Sequence, residues 1–270
     1  MTETIMVTGL DEVGEGKQYA VVVSHLTKEF RVRYRTSVKR RLISLFGGSE
    51  PTVKRFTALS DVSFCVPHGQ TVAIIGRNGS GKSTLMGLLA RVYRKTSGDI
   101  RLYGVDGGAA RIAPLLELGA GFHIDLTGEE NIEFYGAILG MSAREMRQKF
   151  DRIVEFAELG DKVRTAVRNW NDGARLRLGF AIAIHTDPDI LLIDEVLAVG
   201  DEAFQTKCYR KVEELQRQGK TILFVSHDLA KVERVAQRVI WLMDGQIHMD
   251  GEVKTVLEAY RLYSATQAGS

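Results

Sequence analysis

Short apolar runs alternate along the chain with longer segments of helical spacing. The runs have the length and composition of buried strands, and they are YAVVVSHL, TVAIIG, DILLID, TILFVS and VIWLMDG, beginning at residues 19, 71, 189, 221 and 239. Between them lie segments with apolar residues three and four positions apart, namely EENIEFYGAILG, AREMRQKFDRIVEFAELG and FQTKCYRKVEELQRQG. This alternation of strands and helices predicts an α/β fold with a mostly parallel sheet.

Composition limits the classes of protein to consider. The chain has 270 residues, of which 44% are hydrophobic, enough for one large core or a core with a subdomain. Its 36 basic and 34 acidic residues give a net charge of +2, which does not indicate nucleic-acid binding. Cys65 and Cys208 lie far apart without metal-ligand spacing, so we expect two packing residues in a reduced interior.

The first residues and the apolar runs do not show the patterns typical of membrane insertion. The first 18 residues are acidic and lack the basic and then apolar pattern of a signal peptide. No uninterrupted apolar run reaches the roughly 18 residues that a spanning helix needs. The expectation is that the chain does not enter a membrane by itself.

The sequence GRNGSGKS, which begins at residue 76, fits the P-loop pattern GxxxxGK[ST] at every fixed position. It follows an apolar strand and precedes a helical run, the context that a P-loop requires. Glycines let backbone N–H groups surround phosphate oxygens, and the helix N-terminus adds positive potential. A glycine-rich turn with a chance lysine is the alternative. The predicted nucleotide-contacting residues are Gly76, Asn78, Gly79, Ser80, Gly81, Lys82, Ser83 and Thr84.

Two carboxylates follow the apolar strand at Ile190–Ile193. Lys82 is expected at the β- and γ-phosphates of ATP, while Ser83 and Asp194 are expected to hold Mg²⁺. Glu195 is positioned to polarise an attacking water, although a helix cap or a surface charge is the alternative reading.

Together with the turn AVGD at 198–201 and the run FVSHD that contains His227, these motifs resemble the nucleotide-binding subunits of ABC transporters. The stretches LLELGAGFHIDLTGEENI and RLRLGFAIAIHTDPDILLIDEVLAVGDEAFQTKC resemble the ATPases of polysaccharide and teichoic-acid exporters within that superfamily. The resemblance covers about residues 20–250. It implies a P-loop NTPase core of the RecA type with an inserted helical subdomain and an antiparallel β-subdomain.

The same resemblance implies boundaries along the chain. We expect an N-terminal extension at 1–18, an ABC ATPase domain at 19–250, and a short C-terminal helix or tail at 251–270. Within the domain, the helical subdomain is expected at about 120–180 and a basic amphipathic insertion at about 33–48. We expect that this short tail does not form the carbohydrate-recognising β-domain that some members of the family append.

The stretch WNDGA at 170–174 stands at the five-residue family signature that closes on ATP held by the other subunit. Asn171 occupies the position of a serine and retains an amide donor. Gly173 lies near the start of a helix that would aim its N-terminus at the γ-phosphate, with Arg175 and Arg177 nearby. Asp172 would repel the triphosphate unless it turns outward. A neutral variant and a slowed site both remain open.

Other site residues are implied by the resemblance alone. The loop before the helical insertion lacks the glutamine common in the superfamily, and Glu117 is the candidate in that metal-sensing role, with a cap or surface role as the alternative. His227 is expected at the γ-phosphate, and Asp201 is counted among the nucleotide-contacting residues. Adenine is expected to stack on an aromatic ring, either Phe30 or Tyr34.

From Lys28 to Arg41 the chain carries seven basic residues and one acidic residue, and apolar residues follow. The pattern favours a short amphipathic helix at an anionic membrane surface, with a solvated charged face as the alternative.

The implied function is the Mg²⁺-dependent, ATP-hydrolysing subunit of an ABC exporter that moves a lipid-linked polysaccharide, of the O-antigen, galactan, capsule or teichoic-acid type. The subunit is expected at the cytoplasmic face of the plasma membrane. The implied partners are a transmembrane permease, a second copy in a head-to-tail homodimer, the membrane surface, and a lipid-linked polysaccharide carried by the permease, with no nucleic acid. One alternative is a nucleotide sensor with weak turnover, which the unusual signature permits. Another is a soluble ABC ATPase acting on nucleic acid, which would need a second cassette or coiled-coil arms.

Overall fold

The computed structural model describes residues 16–33, 53–116, 118–119, 121–194 and 200–268. The strands are β1 Tyr19–Arg33, β2 Val53–Pro67, β3 Thr71–Ile75, β4 Ser97–Leu102, β5 Ile112–Leu115, β6 Ile190–Ile193, β7 Thr221–Val225, β8 Arg238–Met243 and β9 Gln246–Gly251. The α-helices are α1 Lys82–Leu89, α2 Gly128–Ile138, α3 Ala143–Ala157, α4 Asp172–Ile184, α5 Glu202–Arg217, α6 Leu229–Val235 and α7 Val253–Ala268.

The described strands form two sheets. A three-stranded antiparallel sheet has the order β2-β1-β4, and a six-stranded sheet has the order β5-β6-β7-β3-β8-β9. The neighbours from β5 to β8 are parallel, while β9 pairs antiparallel with β8 at the edge. The predicted α/β fold, with its P-loop core, helical subdomain and antiparallel β-subdomain, is confirmed.

Alternating side chains of the six-stranded sheet build two separate cores. On one face, Val72 and Ile74 of β3 pack with the antiparallel sheet and with α1. On the other face, Ala73 and Ile75 of the same strand pack with the larger helices. Because successive side chains of a strand point to opposite faces, a fully apolar strand is buried on both sides. This explains why β3, β6 and β7 are continuous apolar runs.

Helices α2, α3 and α4 pack on one another as a helical unit. Two of them begin with capping boxes, in which Thr127 pairs with Glu130 and Ser142 pairs with Glu145. Each box satisfies backbone N–H groups that the first turn leaves without an intrahelical partner. Residues close to each helix in the sequence therefore determine where α2 and α3 begin.

The remaining features of the fold concern the cysteines and the membrane. Cys65 and Cys208 are free and buried, and burial raises the pKa of the Cys208 thiol to about 12. Across the part of the chain that the structure describes, no helix has both the length and the apolar character needed to cross a membrane.

Candidate nucleotide-binding site

Three neighbouring parallel strands bring the predicted site residues to one edge of the sheet. In the order β6-β7-β3, Ile193 pairs with Phe224, and Val225 pairs with Ile74. The P-loop follows β3, Asp194 follows β6, and His227 lies two residues beyond β7. Parallel strands end at the same edge, and that edge is where α/β sheets bind ligands.

Two glycines of the loop between β3 and α1 are required by close backbone contacts. Gly76 has a φ of 148°, and a Cβ there would lie 2.2 Å from the carbonyl oxygen of Leu242. Gly81 has a φ of 103°, and a Cβ there would lie 2.7 Å from the carbonyl oxygen of Ala58. Larger residues would need both a strained backbone and displacement of a neighbouring strand.

The N-terminus of α1 is suited to an anion. Gly81 is its cap residue and provides no side-chain acceptor, so the N–H groups of the first turn are left for another partner. The Ser80 hydroxyl lies within the same loop and is buried. Its oxygen has no hydrogen-bond partner among the described residues. A buried hydroxyl without a partner is costly, and a phosphate oxygen would satisfy it.

Lys82 and Asp194 influence each other electrostatically at this edge. The Lys82 ammonium donates to the carbonyl oxygens of Gly76 at 2.7 Å and Arg77 at 2.9 Å. Burial lowers the pKa of Lys82, and the Asp194 carboxylate opposes that shift. Burial likewise raises the pKa of Asp194, and Lys82 opposes the change. Burial therefore disfavours the charged form of each group, and each group favours the charged form of the other.

Ser83 and Asp194 line a common cleft of about 650 Å³ between the sheet and the helical unit. Apolar side chains form much of its wall, among them Tyr93, Tyr135 and Ile138. Sequence patterns did not identify these residues as part of the cleft, because apolar residues on helices and loops look the same whether they face a core or a cleft. Only the position of the helical unit relative to α1 distinguishes the two.

His227 lies between β7 and α6 with an exposed side chain. Hydrogen bonds of the residues directly before and after His227 hold the turn in place. Asp228 caps α6 by accepting from the N–H groups of Ala230 at 3.0 Å and Lys231 at 3.1 Å, and its own N–H donates to the Ser226 hydroxyl at 3.1 Å. The loop therefore holds His227 at the same edge as the P-loop.

Asn171 is the cap residue of α4. Its Oδ1 accepts from the N–H of Ala174 at 2.9 Å, the interaction typical of an asparagine at this position. Helix α4 begins at Asp172, so the N–H groups of Asp172 and Gly173 lie in its first turn. Asparagine thus preserves the helix start in place of the serine that the family signature has.

Asp172 turns outward from the helix. Its side chain is 90% exposed and pairs with Arg175, with 3.0 Å between Oδ1 and Nη2. The same Nη2 donates to the carbonyl oxygen of Trp170 at 3.2 Å. This is the outward orientation that the sequence left open, and Arg175, three positions along the helix, lies within ion-pair distance of the carboxylate.

Trp170 fixes the turn that leads into α4. Its ring is buried, and its indole N–H donates to the Thr165 hydroxyl at 2.9 Å. Gly128 at the start of α2 packs directly on the ring, where a Cβ would lie 2.4 Å from a ring carbon. The signature segment is therefore anchored to the helical unit.

Asp201 caps α5 and contacts α4. Its Oδ1 accepts from the N–H of Phe204 at 2.9 Å, and its Oδ2 accepts from Arg177 at 2.6 Å. Arg177 also pairs with Glu158 at 2.8 Å. Arg177 is therefore engaged away from the first turn of α4, where we expected it to add charge. The predicted contact of Asp201 with nucleotide stays a prediction.

Phe30 lies in the antiparallel sheet near the end of β1. Its ring meets Tyr93 edge to face at a centroid distance of 5.6 Å, and the Lys28 ammonium lies 4.6 Å from its centroid. The alternative adenine-stacking candidate, Tyr34, lies outside the described residues, as do Glu117, Glu195 and segment 34–48 of the basic insertion. The expectations for these positions stay predictions.

Comparison with known proteins identifies the family. The family described as ABC transporter matches residues 59–198, just over half of the chain. The chain is 41% identical over 246 residues to the O-antigen export system ATP-binding protein RfbB of Klebsiella pneumoniae, covering 88% of this chain and 96% of that protein. It is 40% identical over 247 residues to the teichoic acids export ATP-binding protein TagH of Lactiplantibacillus plantarum, covering 92% of this chain and 66% of that protein.

Solved structures give the same fold at lower identity. The ATP-binding subunit of an ABC transporter superposes with a TM-score of 0.68 at 21% identity, covering 90% of this chain and 94% of that one. The cassette MJ0796, in a dimeric post-hydrolysis state bound to ADP and Pi, superposes with a TM-score of 0.64 at 22% identity, covering 86% of this chain and 98% of that one. The chain therefore belongs to the ABC transporter family and is one of its ATP-binding ATPases.

Proposed function

We propose that this ATPase powers an exporter that moves a lipid-linked polysaccharide, of the O-antigen or teichoic-acid type, across the cytoplasmic membrane. The observation that carries the proposal is the 41% identity that extends over 96% of a Klebsiella O-antigen export ATP-binding protein. Likeness over nearly the whole relative supports a shared role more strongly than a shared ATPase motif does.

The triphosphate of ATP would lie in the P-loop. The first-turn N–H groups of α1, which no side chain caps, and the Ser80 hydroxyl, which has no partner among the described residues, would supply donors for phosphate oxygens. Lys82 would exchange its contacts with the carbonyls of Gly76 and Arg77 for the β- and γ-phosphates. Phe30, with its neighbour Tyr93, is one candidate surface for adenine, and Tyr34 is the other.

Mg²⁺ fits the residues at this edge. Ser83 and Asp194 both line the cleft, and a hydroxyl with a carboxylate is an oxygen donor set that suits this ion. The remaining ligands of the ion would be phosphate oxygens and water, as is usual for Mg²⁺ at a nucleotide. When bound, Mg²⁺ would neutralise charge that develops on the phosphates.

Hydrolysis would proceed by attack of a water oxygen on the γ-phosphorus. The bond from that phosphorus to the bridging oxygen breaks, and ADP leaves. Glu195, which directly follows Asp194 in the sequence, would orient the water and accept its proton. His227 and Lys82 would stabilise negative charge on the transferred phosphoryl group.

A second copy would complete each site by presenting the N-terminus of α4 to the γ-phosphate. Asn171 and Gly173 occupy that first turn and its cap, and the turn is exposed at Asp172. The dimeric state of the related cassette MJ0796 supports this arrangement. Asp201, which follows the segment that carries Glu195, would lie near the interface between the copies.

The permease would dock against the cleft and the helical unit. The exposed side chains of Val92, Phe134 and Ile138 give this side an apolar surface that a membrane partner could cover. Such docking would keep the chain at the cytoplasmic face of the membrane. The basic segment 33–48 would approach lipid headgroups or the lipid-linked substrate.

A nucleotide sensor with slow turnover is the second candidate, and the Asn171-Asp172 pair in the signature is the observation that favours it. Turnover measured with and without the permease separates the two. A motor is expected to hydrolyse ATP continuously and faster in the complex with the permease, whereas a sensor would bind ATP and hydrolyse it only slowly in either state.

The proposed export function is tested in the cell of origin by replacing the gene with a Lys82→Ala variant. Surface polysaccharide should disappear and the lipid-linked polymer should accumulate inside, while the wild-type gene restores export. Unchanged surface polysaccharide in the variant would show that export of this polymer does not depend on this ATPase.

A further inference from the structure

The first turn of α4 carries a pair of opposite charges that the signature segment of this chain supplies. Asp172 is the first residue of the helix, and Arg175 follows three positions later. Their side chains meet at 3.0 Å, with the aspartate 90% exposed and the arginine 34% exposed. Residues three apart on a helix lie on the same face, so the pair forms within one turn.

The guanidinium of Arg175 retains unused hydrogen-bonding capacity. Its Nη2 serves both the Asp172 carboxylate and the Trp170 carbonyl, at 3.0 and 3.2 Å. Its Nε is buried, and it has no hydrogen-bond partner among the described residues. A guanidinium offers five N–H donors in a fixed fork that matches a carboxylate or a phosphate. Within the described ranges, these contacts hold Arg175 at the helix start and leave its other N–H groups without a hydrogen-bond partner.

The contact with Asp172 is one that a phosphate could replace. An ion pair in which one partner is almost fully exposed is weak, because water and salt screen it. The helix start itself does not depend on Asp172, since Asn171 provides the cap through Ala174. A doubly charged phosphoryl group would compete for Arg175 with more charge and more acceptor oxygens than one carboxylate has.

We propose that Arg175 binds the triphosphate presented by the second copy and that Asp172 restrains Arg175 until that phosphate arrives. This inference rests on the proposed function, because it requires the α4 N-terminus of one copy to face the P-loop of the other. In this arrangement, Asp172 weakens closure of the dimer by occupying Arg175. Direct repulsion between Asp172 and ATP is the competing explanation.

The two explanations predict different results when Arg175 is absent. If Asp172 acts by holding Arg175, then Asp172→Asn strengthens closure only while Arg175 is present. If Asp172 repels ATP directly, the same substitution strengthens closure whether or not Arg175 is there. A double-mutant cycle on these two residues therefore separates them.

The experiment measures ATP-dependent self-association of the full chain by analytical ultracentrifugation, in a Glu195→Gln background that blocks turnover. The variants are Asp172→Asn, Arg175→Ala and the two combined. Asp125→Asn is the matched control, because Asp125 forms an exposed ion pair with Arg168 on the same helical unit at 3.1 Å. Thermal unfolding and ATP affinity of the monomer verify that each variant folds and retains its P-loop.

We expect Asp172→Asn to tighten the ATP-dependent dimer roughly two- to fivefold, the range of an exposed ion pair. Arg175→Ala should weaken it roughly tenfold or more, as loss of a charged hydrogen bond does. The combined variant should match Arg175→Ala alone, and Asp125→Asn should match the reference.

Two results would overturn the inference. One is a gain from Asp172→Asn that persists without Arg175, which would assign the effect to direct repulsion. The other is the absence of any ATP-dependent dimer in the reference protein, which would remove the second copy on which the inference rests. The export assay is independent of both, so a failure here is distinguishable from a failure of the proposed export function.

Discussion

The Lys82 ammonium donates to the carbonyl oxygen of Gly76 at 2.7 Å, across the loop that it is predicted to help close around phosphate. A second bond to the carbonyl of Arg77 at 2.9 Å keeps the side chain folded over the same loop. Two backbone carbonyls thus hold the cation over the loop that we propose binds the triphosphate. Binding would exchange two neutral acceptors for charged ones, and charged acceptors form stronger bonds.

Replacing Lys82 with Ala should weaken ATP binding by roughly ten- to a hundredfold, because one charged hydrogen-bonding group is worth about 1.5–3 kcal/mol. Isothermal titration of the purified chain with ATP measures this. Lys95→Ala is the control, since Lys95 pairs with Asp99 on the surface. Equal affinity in wild type and Lys82→Ala would contradict the phosphate-cradle assignment.

Glu195→Gln should leave ATP binding intact and stop turnover, because the amide retains the shape of the carboxylate but cannot accept the proton. Loss of a general base typically costs roughly 10²-fold or more in rate. Steady-state phosphate release measures turnover, and size-exclusion chromatography with ATP should reveal a trapped dimer. Glu202→Gln, in the first turn of α5, serves as the control. Turnover within about twofold of wild type would rule out Glu195 as the catalytic carboxylate.

Reversing the charge of Lys39, Arg40 and Arg41 to Glu should impair polymer export in cells while ATP binding by the isolated chain stays unchanged. The physical reason is the loss of attraction to anionic headgroups, which is worth about 1 kcal/mol per basic residue near the surface. Export is measured as surface polysaccharide, and binding is measured by titration. Normal export by this variant would identify the segment as a solvated charged face.

Removing the partner of Arg238 should destabilise the fold. Arg238 makes a bidentate pair with Asp250, with both N–O distances at 2.6 Å, and also donates to the carbonyl of Cys65 at 2.8 Å. It therefore ties β8 and β9 to the antiparallel sheet. Asp250→Ala should lower the free energy of unfolding by about 3 kcal/mol, because it leaves a mostly buried charge unpaired.

Urea unfolding of Asp250→Ala measures that loss. Glu233→Ala provides the matched control, since it removes the acidic partner of Arg261 from a half-exposed pair. The control should change the free energy of unfolding by less than about 1 kcal/mol. Equal losses of unfolding free energy in the two variants would show that the buried Arg238 pair contributes no more to stability than an exposed pair does.

Glu145 gives a pH dependence with a defined sign. Hydrogen bonds from Ser142 and then from Arg111 lower the pKa of this carboxyl to about 2 from its ordinary 4.5. The folded state therefore prefers the ionised form. The resulting stability is present above the ordinary value and is lost as pH falls toward 2. The difference in unfolding free energy between wild type and Glu145→Gln should be constant near neutral pH and shrink between pH 4.5 and pH 2.

Denaturant titrations of both proteins across that range check the sign. Glu145 also links α3 to the residue before β5 through its 3.0 Å ion pair with Arg111. The measured loss of stability therefore includes the loss of this link. A difference that stays constant down to pH 2.5 would contradict the assignment.

The sequence by itself determined the elements that depend on consecutive residues. The apolar runs of β3, β6 and β7 predicted strands buried on both faces, because successive side chains of a strand point to opposite sides. The glycines at Gly76 and Gly81 predicted the P-loop. The sequence also placed Lys82 at the start of the helix after the P-loop and Asp194 directly after its strand, because a P-loop and the carboxylate after an apolar strand have fixed local positions. Such features need no knowledge of which strand lies beside which.

Only the tertiary structure decided which strands lie side by side and which side chains pair. Periodicity assigns a strand to a buried layer but not to a place in it, and the order β6-β7-β3 alone brings Asp194, His227 and the P-loop to one edge. The partners of the arginines after the signature were undetermined for the same reason. Arg175 pairs within its own turn, whereas Arg177 reaches Glu158 and Asp201 across the fold. Charge spacing along one helix admits both arrangements, and the packing of α3 and α5 against α4 selects between them.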